Sequence, residues 1–169
     1  MTEINEKQGI KTIYLVGQIS GKYPESYEWR KYVRDYFKHD EHKRIIDPCS
    51  NPFNKGVLER KTKTYEVGSE RSNNGTNILP SKDLTYVLES DIALVNMNQY
   101  DPDKPLLGSF FELAWLYLHP EKTVIAFADD LNDFKCQHPF VKMAVTVWCG
   151  SVEEACDMIS EYFTYIHSI

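Results

Sequence analysis

Residues 91–127, DIALVNMNQYDPDKPLLGSFFELAWLYLHPEKTVIAF, decide the fold. Asp91-Ile92-Ala93-Leu94-Val95-Asn96-Met97 has the length and content of a buried strand, and Thr123-Val124-Ile125-Ala126-Phe127 is a second one. Between them, Gln99 to Pro105 reads as a loop broken by Pro102 and Pro105, and Gly108 to Leu118 as a strongly apolar helix. Strand, helix, strand in that order is the unit that joins parallel strands through a right-handed crossover.

Working outward, the same alternation continues to both ends. Thr12-Ile13-Tyr14-Leu15-Val16, closed by Gly17, is a short β-prone run, followed by a loop from Gln18 to Pro24. Ser26 is placed to cap a helix reaching about Lys38, with Trp29, Tyr32, Val33, Tyr36 and Phe37 on its apolar spacing. Lys43 to Asp47 gives a second strand, ended by Pro48. Pro80-Ser81 opens a helix through Leu88. Asp129 to Gln137 reads as loop, Pro139 to Ala144 as a short helix and Val145 to Trp148 as the fifth strand. Ser151 caps a last helix with Val152, Ala155, Met158, Ile159 and Phe163 on one face. The expectation is an α/β, flavodoxin-like three-layer sandwich with a five-stranded, mainly parallel sheet. Ligands then sit beyond the carboxyl ends of the strands, where the exits Gly17–Lys22 and Asn96–Gly108 face one crevice. Residues 48–79 show no sustained period and read as a long loop or lid.

The 169 residues fit one domain over 1–169. No apolar run approaches the ~20 residues of a membrane span, and the start MTEINEKQG is polar, so neither signal peptide nor anchor is expected. A net charge of −6 argues against a surface that coats a nucleic acid polymer. Cys49, Cys136, Cys149 and Cys156 form no C-x-x-C pair, which points to free thiols and a cytoplasmic, reducing location. Neither G-x-G-x-x-G nor G-x-x-x-x-G-K-[ST] follows the first strand, so dinucleotide-binding and P-loop chemistry are not expected.

Glu112 is the most informative residue. It is the single charge in a helix that is otherwise apolar on nearly every face, and such a helix is expected to be buried. An unpaired carboxylate there costs several kcal/mol, on the order set by buried charge. Two readings stand side by side. Ser109-x-x-Glu112 fits a capping box, with the first-turn dipole favouring the negative charge. Alternatively, an ionised carboxylate in a dry site is a nucleophile or steadies an oxocarbenium ion. Asp83 is read in the first turn of its own helix, where dipole complementarity is the plain explanation. Tyr14 is central in the first strand, and its hydroxyl needs a partner if buried. His39 and His42 lie among Asp40, Glu41 and Lys43 in a solvated tail, so no metal site is expected. The basic run Lys55 to Lys63 reads as a solvated loop with the means to meet a phosphate.

Taken in order, four stretches resemble the nucleoside 2-deoxyribosyltransferase superfamily, including its 2′-deoxynucleoside 5′-monophosphate N-glycosidase branch. They are Ile13-Tyr14-Leu15-Val16-Gly17, Glu28-Trp29-Arg30, Lys82-Asp83-Leu84 through Ser90-Asp91-Ile92, and Gly108-Ser109-Phe110-Phe111-Glu112-Leu113. The resemblance implies cleavage of the N-glycosidic bond of a 2′-deoxynucleoside, with Glu112 attacking C1′, Asp83 handling the proton of the leaving base and Tyr14 holding the glutamate. A second base accepts the sugar in a transferase, and water does so in a hydrolase; a non-catalytic nucleotide-binding domain is the rival from another class. It further implies substrate contacts from Gly17, Gln18, Ile19, Ser20, Trp29, Asn96, Gly108 and Ser109, no cofactor or metal, and a homo-oligomer. Leu106 stands where the transferases carry an aspartate and the monophosphate branch a serine, and Ala114 where a glycine is usual. With no hydrogen bond available at Leu106, the free nucleoside is the preferred expectation.

Overall fold

The computed structural model describes residues 9–52, 54, 55, 58 and 78–163. Most of the 48–79 loop-or-lid reading, and the basic run beyond Lys55, therefore lie outside the described residues.

Among the described residues, five strands and the helices between them follow the order that the sequence predicts, with a 3-10 turn and one further short helix added. Strand β1 (Lys11–Gly17) leads through α1 (Glu25–Phe37) to β2 (Lys43–Ile46), which a 3-10 turn at Pro48–Ser50 ends. Helix α2 (Ile78–Glu89) precedes β3 (Ile92–Asn96), and α3 (Leu107–Tyr117) precedes β4 (Thr123–Phe127). Helices α4 (Phe134–Gln137) and α5 (Pro139–Ala144), β5 (Val147–Cys149) and α6 (Val152–Tyr162) complete the order. The five strands run in the order β2-β1-β3-β4-β5, and every pairing is parallel. This is the flavodoxin-like order, and its switch point lies between β1 and β3.

Alternation along β1 builds two cores. Tyr14 and Val16 face Val87 of α2 and Leu113 and Leu116 of α3. Ile13 and Leu15 face Trp29 and Val33 of α1 and Ala155 and Ile159 of α6. A period of two is the reason, since successive side chains leave opposite faces of a strand. Ile13 to Val16 are almost wholly buried, and burying a large aliphatic side chain stabilises by ~1.5–3 kcal/mol.

Several boundaries shift for local reasons. Ser26 does not cap α1; Pro24 occupies that position, and the Ser26 hydroxyl bonds the Ser20 backbone instead. Residues 134–137, read as loop, form a helical turn that Asp133 caps through the Lys135 N–H. Ser151 caps α6 as expected, accepting from the Glu154 N–H at 3.2 Å. Helix α3 is not buried on all sides, since Leu107, Phe111 and Tyr117 on it, and Leu118 just beyond, are largely exposed. Among the described residues, no helix is long and apolar enough to cross a membrane.

Candidate active site

Three side chains converge from three elements at the carboxyl end of β1. Tyr14 points to the α2/α3 face, and its hydroxyl donates a short hydrogen bond to Glu112 Oε1. Glu112 belongs to the buried stripe of α3, three residues after Ser109 and four before Leu116. Asp83 lies one turn before the buried Val87 of α2, and Tyr86 on that helix sets its ring 5.4 Å from the Tyr14 ring. Tyr14, Asp83 and Glu112 line one cleft of about 250 Å³.

Both plain readings of the carboxylates fail on the same fact: each helix starts earlier than its sequence signals. Helix α3 begins at Leu107, with Leu106 at the capping position and no side-chain cap, so Glu112 is the sixth helical residue and Ser109 is inside the helix. The capping box does not form. Helix α2 is already under way at Ile78, which leaves Asp83 beyond the first turn. Neither carboxylate is placed to complement a helix dipole, an effect confined to the terminal turn.

What remains is a coupled pair on one cleft, with Glu112 buried and Asp83 half-buried. Burial, reinforced by the nearby Asp83 charge, pushes the Glu112 carboxyl up to about 8, although the Tyr14 hydroxyl and the Arg30 guanidinium pull the other way. Burial likewise raises Asp83 to about 6, against the pull of Tyr14. Tyr14 itself rises well above the usual phenol range, through burial and then through its two acidic neighbours. Between about pH 6 and 8 the pair as a whole holds a single proton, whichever carboxyl carries it. Such a site contains a carboxylate and a carboxylic acid at once, the combination needed for nucleophilic attack with protonation of a leaving group.

The expected substrate contacts divide. Gly17, Gln18, Ile19, Gly108 and Ser109 line the same cleft as the pair. Ser20, Trp29 and Asn96 do not. Ser20 is fully buried and donates to Asp101 Oδ2 at 2.7 Å. Trp29 packs edge-on against Phe127, and Asn96 donates to the Tyr100 hydroxyl. Gln18 is fully engaged with the facing loop: its Oε1 accepts from the Tyr100 and Asp101 N–H groups, and its Nε2 donates to the Asp101 and Lys104 carbonyls. It therefore ties the two strand exits together. Leu106, Pro48 and Asn54 also line the cleft; Asn54 lies in a stretch without period, and no motif marks it.

Arg30 was singled out only as part of a motif. It is fully buried, and its guanidinium donates to the carbonyls of Gly17, Gln18 and Ser26. An arginine amid aromatic residues on a helix face was the available signal, since a buried guanidinium has to be paired or stacked.

No family model matches the chain, and no curated protein matches it significantly. Solved structures do share its fold. A conserved protein from Enterococcus faecalis V583 is 14% identical at a TM-score of 0.58, over 90% of this chain and 98% of that one. A 2-desoxiribosyltransferase from Leishmania mexicana is 16% identical at a TM-score of 0.57, again over 90% and 98%. A CMP N-glycosidase from Clostridium botulinum aligns at 11% identity, 90% and 99% coverage and a TM-score of 0.47, too loosely to carry an argument.

Proposed function

We propose that this protein cleaves the N-glycosidic bond of 2′-deoxynucleosides and transfers the deoxyribosyl group to another nucleobase. Glu112 is the nucleophile at C1′, Asp83 transfers the proton of the leaving base, and Tyr14 orients Glu112. The observation that carries this reading is the buried Glu112 carboxyl, hydrogen-bonded by Tyr14 beside Asp83 in a cleft. Such a pair does not stabilise a fold, because a buried carboxyl beside a second acidic group costs free energy when it ionises. Pure binding of a nucleoside does not need it. The fold shared with a 2-desoxiribosyltransferase supports the same reading.

In the proposed reaction ionised Glu112 bonds C1′ as the base leaves with its bonding electron pair and takes a proton from Asp83. A second base then bonds C1′, the Glu112–C1′ bond breaks, and the incoming base gives its N–H proton back to Asp83. Glu112→Ala in a base-exchange assay, read by chromatography, tests it: the expected loss is at least a thousandfold. Hydrolysis of a 5′-monophosphate is the second reading. It is favoured by one feature, the uncapped start of α3 with Gly108 and Ser109 in the cleft, where backbone N–H groups suit an anion. Buried Leu106 in the same cleft offers such a ligand no hydrogen bond. Comparing kcat/KM for one deoxynucleoside and its 5′-monophosphate separates the two.

The homo-oligomer implied by the resemblance belongs to this proposal, with a second copy covering the bare side of α3. Tyr117, Leu118, Phe134, Phe140 and Met143 border an apolar groove of about 660 Å³, and Leu107 and Phe111 extend the exposed stripe. At ~150–250 Å² per fully bared aromatic, the four aromatics among these seven, half to three-quarters exposed, offer on the order of 500 Å², and Leu107, Leu118 and Met143 bring the patch to on the order of 800 Å². That is about one partner's share of a standard interface and more than a monomer usually leaves bare.

A further inference from the structure

Arg30 carries a charge that its own layer does not balance. It is the largest side chain among those fully buried. Three of its hydrogen bonds end on carbonyl oxygens: Ser26 at 2.7 Å, Gly17 at 2.9 Å and Gln18 at 3.3 Å. Carbonyls orient a guanidinium but do not neutralise it. Its Nε has no hydrogen-bond partner. The nearest carboxylate, Asp47, stands 3.6 Å from that Nε, is equally buried, and also takes the Arg34 guanidinium and the Cys49 N–H. One carboxylate thus faces two guanidiniums: Arg34 is partly open to water, whereas Arg30 is wholly buried and has, besides Asp47 and its carbonyls, the Trp29 ring 4.6 Å from its Cζ. A buried ion so placed costs several kcal/mol unless something compensates it, by the reasoning that applies to buried salt bridges.

Two of the three carbonyls that Arg30 holds, those of Gly17 and Gln18, belong to residues that line the cleft with Glu112. We propose that Arg30 is a positioning residue of the site, which fixes the exit of β1 as the cleft wall and supplies a permanent positive charge behind Glu112. This rests on the reading of Glu112 as a carboxylate that must ionise to work. The charged and titratable groups that act on Glu112 are Asp83 from α2, Tyr14 from β1 and Arg30 from α1, and Lys104 lines the same cleft; among the described groups that shift Glu112, Arg30 is the cation. The groups facing Arg30 are Cys49, Tyr14, Glu112 and Tyr100, besides Asp47. The electrostatics agree in direction, since the guanidinium lowers both Glu112 and Tyr14.

Two variants separate the roles. Arg30→Met removes the charge, and Arg30→Lys keeps it while losing the planar fork. The readout is the titration of the Glu112 carboxyl by carbon-13 NMR of glutamate-labelled protein, assigned with Glu112→Gln, together with the acid limb of kcat/KM. In Arg30→Met both midpoints should rise by roughly one pH unit. In Arg30→Lys the midpoints should stay within a few tenths while KM rises several-fold, because the β1 exit loses its grip. An unmoved Glu112 midpoint in folded Arg30→Met overturns the proposal. If that variant does not fold, Arg30→Lys decides: a midpoint raised as far as by full charge loss, or an unchanged KM, overturns it. Because the titration needs no turnover, a raised midpoint in a protein without deoxyribosyl activity upholds the role of Arg30 and defeats only the function reading.

Discussion

At Glu112 a carboxyl occupies a place where packing alone calls for leucine. Its raised pKa has a consequence for stability whose sign is fixed. A carboxyl raised to about 8 binds its proton more tightly when folded than when unfolded. Its contribution is therefore full below the ordinary carboxylate range and is lost as pH rises through about 8. Relative to Glu112→Gln, the wild type should lose roughly 2–4 kcal/mol between pH 5 and pH 9, read from urea melts. A constant difference would mean that Glu112 is hydrated rather than desolvated. The same pair sets the rate. Below about 6 both carboxyls are protonated and no nucleophile is present; above about 8 both are ionised and the leaving base finds no proton. Between them the pair holds one proton, mostly on Glu112, and the reactive form is the less populated one with that proton on Asp83. The profile of kcat/KM should be a bell with its maximum between those values. Asp83→Asn should lower rates most for poor leaving bases and least for activated ones, whereas a uniform small loss would give Asp83 a merely structural place. The identity of these residues was legible in the sequence because an isolated charge among apolar neighbours stands out. Their setting was not: Pro80 and Gly108 look like helix starts, yet each helix begins before its marker.

Helices and strand exits show where pattern reading succeeds and where it stops. Five strands and the order of helices follow from runs such as residues 92–95, whose burial on both faces leaves no polar position to interrupt them. The apolar wrap of α3 promised complete burial, but periodicity reports that a face is apolar and not what covers it. Loop-to-loop ties were hidden entirely, because Gln18 and Asp101 are far apart in sequence and neither carries a pattern. The prediction for this scale concerns that tie. Gln18→Ala leaves the Tyr100 and Asp101 N–H groups without their acceptor, and unpaired buried donors cost ~1–3 kcal/mol each at most. We expect a lower Tm and a raised KM with kcat less affected. A KM equal to wild type would show that the β3 exit holds its shape without Gln18.

For the molecule as a whole, the bare apolar side and the cleft are both carried by α3, so assembly and activity are testable together. Light scattering should find an oligomer at micromolar concentration, and the double variant Phe134→Asp, Phe140→Asp should be a folded monomer. A monomeric wild type would remove the second copy from the account. Beside Glu112 the 2′ position should also be read, with deoxynucleosides reacting far faster than ribonucleosides; equal rates would point to ribosyl cleavage. The most direct measurement is base exchange: a deoxynucleoside and a second free base are incubated with wild type and with Glu112→Ala, and both nucleosides are quantified by chromatography. The account predicts a new deoxynucleoside from the wild type and a loss of at least a thousandfold in the variant. Exchange within tenfold of wild type in Glu112→Ala would contradict it.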